Sequence, residues 1–179
     1  SESRVAPALI PLGVDLARIE VVSGDVTDRD SVKFALKDMD ALVQAASVYT
    51  MKKQRSKEIS ITNRKGCEIV LDEAFQARLD PIIHVSSVSA VLSTDNGALT
   101  SHESSPTSVK VGPYVDSKVE QEIVARRFQS EGAPVVITYP GAVMGPHDPH
   151  WGGGPILIES MLRGKIPIMI DCRLPIVDV

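Results

Sequence analysis

The sequence predicts an α/β fold, a parallel sheet wrapped by helices, and three observations carry that prediction. Short apolar runs rich in Val and Ile alternate with helix-length amphipathic stretches from residue 19 to residue 170, as repeated strand-helix-strand units do. The second run is nearly all apolar rather than alternating, the signature of a strand buried on both faces. Several runs end in small or hydroxyl-bearing residues, where an open parallel sheet binds its ligands. The 179 residues, 43% hydrophobic and 23% charged, suffice for one domain, 1–179, with a real core.

Taken in order, Ser1 to Gly13 carries prolines at 7 and 11 and reads as a connector, an interrupted helix or loop. Ile19-Glu20-Val21-Val22 is a β-branched run closed by Ser23-Gly24-Asp25. Thr27-Asp28 then offers capping oxygens to a helix with Val32, Ala35, Leu36 and Met39 on one face. Ala41 to Ala46 is the second strand, and Met51 to Glu58 a charged, mobile loop. A long helix fits Ile59 to Leu79, with Ile59, Asn63, Gly66, Val70 and Ala74 on one side. Gly66 in mid-helix costs about 1 kcal/mol against Ala, so close packing or a ligand must account for it.

Pro81 to Ser87 is the third strand, and Ser93 to Val111 a polar loop. A helix from near Tyr114 to Glu131 stops at Gly132, and Pro134 to Tyr139 is the fourth strand. Gly141 to Pro155, dense in Gly and Pro, reads as irregular loop. Ile156 to Arg163 fits a helix and Ile166 to Ile170 another strand. No repeat and no interdomain linker is evident.

A net charge of −4 without a Lys/Arg block excludes a nucleic-acid or anionic-membrane surface. At 4% aromatic residues the chain also lacks base-stacking platforms. Cys67 and Cys172 stand far apart and form no Cys-x-x-Cys pair, so they read as free thiols of a reducing compartment. No apolar run nears the ~20 residues that span a bilayer, and the first residues are not signal-like. A soluble cytoplasmic protein is expected.

The chemistry-bearing stretch is Gly112-Pro113-Tyr114-Val115-Asp116-Ser117-Lys118. With a turn at Gly112-Pro113, Tyr114 and Lys118 fall at i and i+4 on one helix face. A phenol beside an ammonium is a proton donor and acceptor whose pKa moves down from ~10 toward a useful range. Asp25, Ala45-Ala46-Ser47, Ser86-Ser87 and Pro140-Gly141 lie at the predicted strand ends and would line one crevice with it.

In Gly24-Asp25-Val26, Ala45-Ala46, Asn63 with Gly66, His84-Val85-Ser86-Ser87, Tyr114-x-x-x-Lys118 and Tyr139 to Pro146, the sequence resembles the short-chain dehydrogenase/reductase superfamily. The likeness is to its extended branch of dihydroflavonol-type reductases, 3β-hydroxysteroid dehydrogenases and nucleotide-sugar epimerases. The resemblance implies a Rossmann-type, doubly wound domain that binds NAD or NADP and a small-molecule substrate. It implies that Asp25 bonds the adenine amino group beside the Val26 backbone, and that Ala45, Ala46 and Ser47 leave room for ribose and phosphates. Asn63 would steady the preceding strand or the ribose. Val143 would offer a backbone group to the nicotinamide carboxamide after the Pro140-Gly141 turn.

By the same resemblance Tyr114 exchanges a proton with a substrate oxygen, Ser87 bonds that oxygen, and Lys118 lowers the Tyr114 pKa and holds the nicotinamide ribose. The Ser-Ser-x-x-x-Val pattern favours Ser87 over Ser86 and Ser89. The family's opening strand and Gly-x-x-Gly-x-x-Gly turn have no counterpart ahead of Gly24, so the chain reads as a portion of a longer protein lacking the first β-α-β segment and the C-terminal substrate region. Tyr139 stands where many relatives carry Arg, and Val88-Ser89 follow Ser87 where sugar dehydratases place acids. Both differences favour a carbonyl reductase or hydroxyl dehydrogenase. The alternatives are a nucleotide-sugar epimerase and a non-catalytic dinucleotide-sensing or scaffold protein. His147-Asp148-Pro149-His150 lacks a third ligand nearby, and no metal site is expected. A homodimer is expected by resemblance.

Overall fold

The computed structural model describes residues 2–49, 59–92, 101, 103–146, 152–168 and 175–178. They form two compact units, one of residues 24–140 and one of residues 1–23 with 141–179.

The 24–140 unit is built on a three-stranded parallel sheet, β1 (Leu42–Gln44), β2 (Ile82–Val85) and β3 (Val135–Thr138), in the order β1-β2-β3. Its register aligns Leu42 with Ile82 and Ile82 with Val135, then Gln44 with His84 and His84 with Ile137. Because side chains alternate along a strand, these rows share one face. The helices α2 (Arg29–Ala35), α3 (Gly66–Gln76) and α4 (Pro113–Ser130) supply apolar residues to it. The core joins Cys67, Leu71 and Ala74 of α3 to Val124, Ala125 and Phe128 of α4 over Ile82 and Val135. Phe75 meets Phe128 edge to face with ring centroids 6.4 Å apart. The intervening row is open: Val43 is 63% exposed and Val136 52%.

Local chemistry sets the helix ends. Asp28 caps α2 by accepting from the Asp30 amide at 3.3 Å. Pro113 opens α4, and Asp116 in its first turn accepts from the Val111 and Gly112 amides, while Arg127 lies in its last turn, each sign complementing the helix dipole. A π-helical turn, Ile61–Lys65, leads into α3 and turns Asn63 fully into the interior. The long helix expected from Ile59 is therefore interrupted at its start and ends at Gln76. Gly66 answers to packing: a Cβ there would lie 2.7 Å from Val26 Cγ2.

The other unit begins with α1 (Glu2–Leu9), followed by 3-10 turns at Ile10–Leu12 and Leu16–Arg18. Here β4 (Ala142–Met144) pairs in parallel with β5 (Ile176–Asp178), and α5 spans Gly153–Leu162. Gly141 passes so close to β5 that a Cβ would sit 2.3 Å from the Pro175 carbonyl oxygen. No described residue of this unit is fully buried.

Three sequence expectations differ from the structure. Ile19 is extended (φ −118, ψ 121), yet no strand forms over residues 19–22, because β-branched residues favour extended backbone but a ladder needs a partner. Residues 166–168 likewise form no strand, and 169–170 lie outside the described residues. Part of the expected loop after Gly141 is strand β4, stabilised by a partner more than thirty positions away in sequence. The loop expected at 51–58, residues 93–100 and 102 of that expected at 93–111, the His147 to His150 stretch and Cys172 lie outside the described residues.

Candidate active site

The C-terminal end of β2 delivers Ser86 and Ser87, and the first turn of α4 brings Tyr114 to meet them. Ser87 is extended (φ −161, ψ 148) and its hydroxyl accepts from the Ser89 amide at 3.2 Å and the Ser89 hydroxyl at 2.9 Å. The Ser87 hydroxyl lies close enough to the Tyr114 phenol to favour its ionised form. One turn on, Lys118 is 5% exposed and donates from Nζ to the Val85 carbonyl at 3.2 Å. Ser87, Tyr114 and Lys118 thus converge on one strand end. Ser86, by contrast, is buried and donates to Glu122 at 2.7 Å.

Electrostatics here depart from the sequence expectation. Burial pushes the Tyr114 phenol above its ordinary range; Tyr49 adds to this and the Ser87 hydroxyl partly offsets it. Lys118, whose ammonium donates to the Val85 carbonyl, is not among the groups that move it. Burial holds Lys118 itself below the ordinary lysine range. The expected lowering of the Tyr114 pKa by Lys118 is therefore corrected: burial governs both groups.

Asn63 ties the site together from behind. Its Oδ1 accepts from the Val48 amide at 2.7 Å, and its Nδ2 donates to the Val48 carbonyl at 3.2 Å and to Ser117 Oγ at 2.9 Å. Ser117 in turn donates to the Tyr114 carbonyl at 2.7 Å. The segment after β1 is thereby pinned, and Tyr49 meets the Tyr114 ring edge to face at 4.7 Å.

The remaining predicted cofactor residues divide by location. Asp25 is exposed; its Oδ1 accepts from the Thr27 amide and hydroxyl, both at 2.8 Å, and these bonds hold its carboxyl below the usual range. Val26 packs against Gly66 and lines, with Val43, Ala45 and Ala46, a groove of about 190 Å³ at the end of β1. Ala45 and Ala46 are exposed, and Ser47 Oγ is buried with no hydrogen-bond partner. Pro140 accepts from the Val88 amide at 3.1 Å. Gly141 and Val143 belong to the other unit, before and within β4.

Sequence reasoning missed Tyr49, Ser117 and Glu122. Ser117 directly precedes Lys118 and Glu122 follows it by four residues, so both are legible once α4 is known to bury that face. No sequence signal marks Tyr49.

Residues 8–128, more than half of the chain, match the 3-beta hydroxysteroid dehydrogenase/isomerase family. The chain belongs to that family. It falls within the extended short-chain dehydrogenase/reductase superfamily that the sequence motifs resemble. It is 27% identical over 162 residues to sterol demethylase protein B of Methylococcus capsulatus, covering 88% of this chain and 49% of that protein. It is 26% identical over 158 residues to dTDP-glucose 4,6-dehydratase of Streptomyces antibioticus, covering 86% of this chain and 46% of that protein. Among solved structures, the dTDP-glucose 4,6-dehydratase DesIV of Streptomyces venezuelae, with NAD and TYD bound, superposes with a TM-score of 0.71 at 26% identity, over 87% of this chain and 48% of that one. The chain spans about half the length of these relatives, and the fold is Rossmann-type. Among the described residues no helix is long and apolar enough to cross a membrane.

Proposed function

We propose that this chain carries the proton-transfer site of an NAD(P)-dependent oxidoreductase acting on a carbonyl or hydroxyl group. The observation that supports it most is the Ser87 hydroxyl and the Tyr114 phenol meeting at the end of a parallel strand, with Lys118 buried behind them and held by the Val85 carbonyl. A single substrate oxygen placed there would take a hydrogen bond from Ser87 while Tyr114 supplies or removes its proton, so no free alkoxide forms. Lys118, fixed by the Val85 carbonyl, would keep positive charge at the base of the site.

The residues present fit a nicotinamide dinucleotide. The exposed Ala45 and Ala46 leave room for close approach, and the buried Ser47 hydroxyl lacks a partner that a ligand would supply. The apolar groove with Val26 suits an adenine ring, and the carboxylate of Asp25, next to Val26 in the chain, would accept from the adenine amino group. When bound, such a cofactor supplies or takes up the hydride. The solved relative's NAD, the family match and the sequence motifs support the same reading.

A second reading, conversion of a nucleotide sugar, rests on the likeness to the dTDP-glucose 4,6-dehydratases. Against it stand Val88 and Ser89 after Ser87, where that chemistry wants an acid. Titrating the full-length protein with NADH and NADPH by nicotinamide fluorescence tests the cofactor, and a panel of ketones and nucleotide sugars then separates the two substrates. Saturable binding of one dinucleotide with ketone turnover supports the proposal. Binding of neither by folded protein overturns it in favour of a scaffold role.

A further inference from the structure

Glu122 is a charged group buried in a place that none of the proton-transfer roles uses. It lies one turn beyond Lys118 on α4 and has no exposed surface. A buried carboxylate is tolerated only when its oxygens are satisfied and its charge is paired. Here Ser86 donates to it at 2.7 Å, Tyr139 at 2.6 Å and Arg126 Nε at 2.7 Å. Arg126 continues to the Tyr139 hydroxyl at 3.2 Å and the Ser104 carbonyl at 2.8 Å.

The partners matter for where they sit. Ser86 immediately precedes Ser87. Tyr139 immediately precedes Pro140, whose carbonyl accepts from the Val88 amide on the other side of Ser87 at 3.1 Å. Both flanks of Ser87 are therefore tied to one carboxylate, and that carboxylate rides on the helix that carries Tyr114 and Lys118. We propose that Glu122 is a positioning residue: it locks the Ser86 to Val88 segment onto α4 so that the Ser87 hydroxyl meets the Tyr114 phenol. The inference rests on the proton-transfer reading of Ser87 and Tyr114. Displacements of about 1 Å in such a pair cost up to ~100-fold in rate, so the lock has a kinetic consequence.

The test is a mutant cycle in the full-length protein, with NADH or NADPH oxidation by 2,3-butanedione as the probe reaction. Glu122→Gln and Ser86→Ala should each lower kcat about tenfold while leaving the dinucleotide dissociation constant unchanged. In a Ser87→Ala background the same substitutions should lower kcat no further, since the group they position is gone. An equal loss in both backgrounds, or a loss that tracks weaker dinucleotide binding, overturns the positioning role and leaves a structural one. Full turnover by Ser87→Ala alone would instead sink the proton-transfer reading.

Tyrosinate absorbance, titrated as the difference between each protein and its Tyr114→Phe counterpart, decides the matter where the probe reaction is too slow. Ser86→Ala should move Tyr114 ionisation to higher pH by letting the Ser87 hydroxyl drift from the phenol. No movement overturns the proposal.

Discussion

At the scale of single residues, burial sets the chemistry more than neighbouring charge does. Because the Tyr114 phenol lies above its ordinary range, it stays protonated through neutral pH. As a proton donor it should give carbonyl reduction a rate that is flat through neutral pH and falls only when the phenol ionises. In the reverse direction the rate should climb with pH over the same range; a reduction rate that falls between pH 6 and 8 would contradict this. His84 provides a stability counterpart. Buried with its Nδ1 3.1 Å from Gln44 Oε1 and Nε2 without a partner, it is pushed down to about 4 from 6.5, chiefly by burial. Below its unfolded pKa the unfolded chain binds a proton that the fold refuses, so stability falls as pH drops from about 6.5 toward 4, by about 3 kcal/mol in all. Urea melts of the parent and His84→Gln at pH 7 and pH 5 should show this loss only in the parent. Spacing was enough to put Tyr114 and Lys118 on one helix face and Ser86-Ser87 at a strand end, because both follow from local rules, while the choice of Ser87 came from the family resemblance. The direction of the Tyr114 shift was not legible, since it depends on what else packs around the ring and on where the lysine head goes.

Among the elements, α3 and α4 do the organising. Gly66 lets α3 approach the Asp25-Val26 turn, and the packing and ligand explanations that the sequence left open meet there, since Val26 also lines the groove proposed for adenine. Gly66→Ala should gain helix propensity yet destabilise by about 1–3 kcal/mol through overpacking against Val26. It should weaken dinucleotide binding as well; unchanged melting and unchanged affinity would show that Val26 yields freely. The helices and the β1 to β3 strands were legible from period and caps. The π turn at Asn63 and the β4–β5 pair were not, because the first depends on buried hydrogen bonds to Val48 and Ser117, and the second on pairing between distant segments.

Across the whole molecule, burial is uneven. Every buried hydrophobic residue described belongs to residues 24–140, from Val32 to Val135. Opening free energy follows buried contacts, so native-state hydrogen exchange should find its slowest amides in β2, α3 and α4 and fast exchange in β4, β5 and α5. Equal protection in both units would contradict this distribution. Composition and alternation were sufficient to read the fold class, and the motifs the family, because parallel-sheet architecture leaves its mark every thirty or so residues. The division into two units was not read, since the Gly- and Pro-dense stretch that begins at Gly141 was taken as a loop within one domain and nothing marks residues 23–24. The central claim is that Tyr114 transfers the proton while other residues hold the dinucleotide. Its most direct test compares kcat and dinucleotide affinity in the full-length protein and its Tyr114→Phe variant. The account predicts a loss of at least about a hundredfold in kcat with affinity unchanged. Turnover equal to the parent's would contradict it.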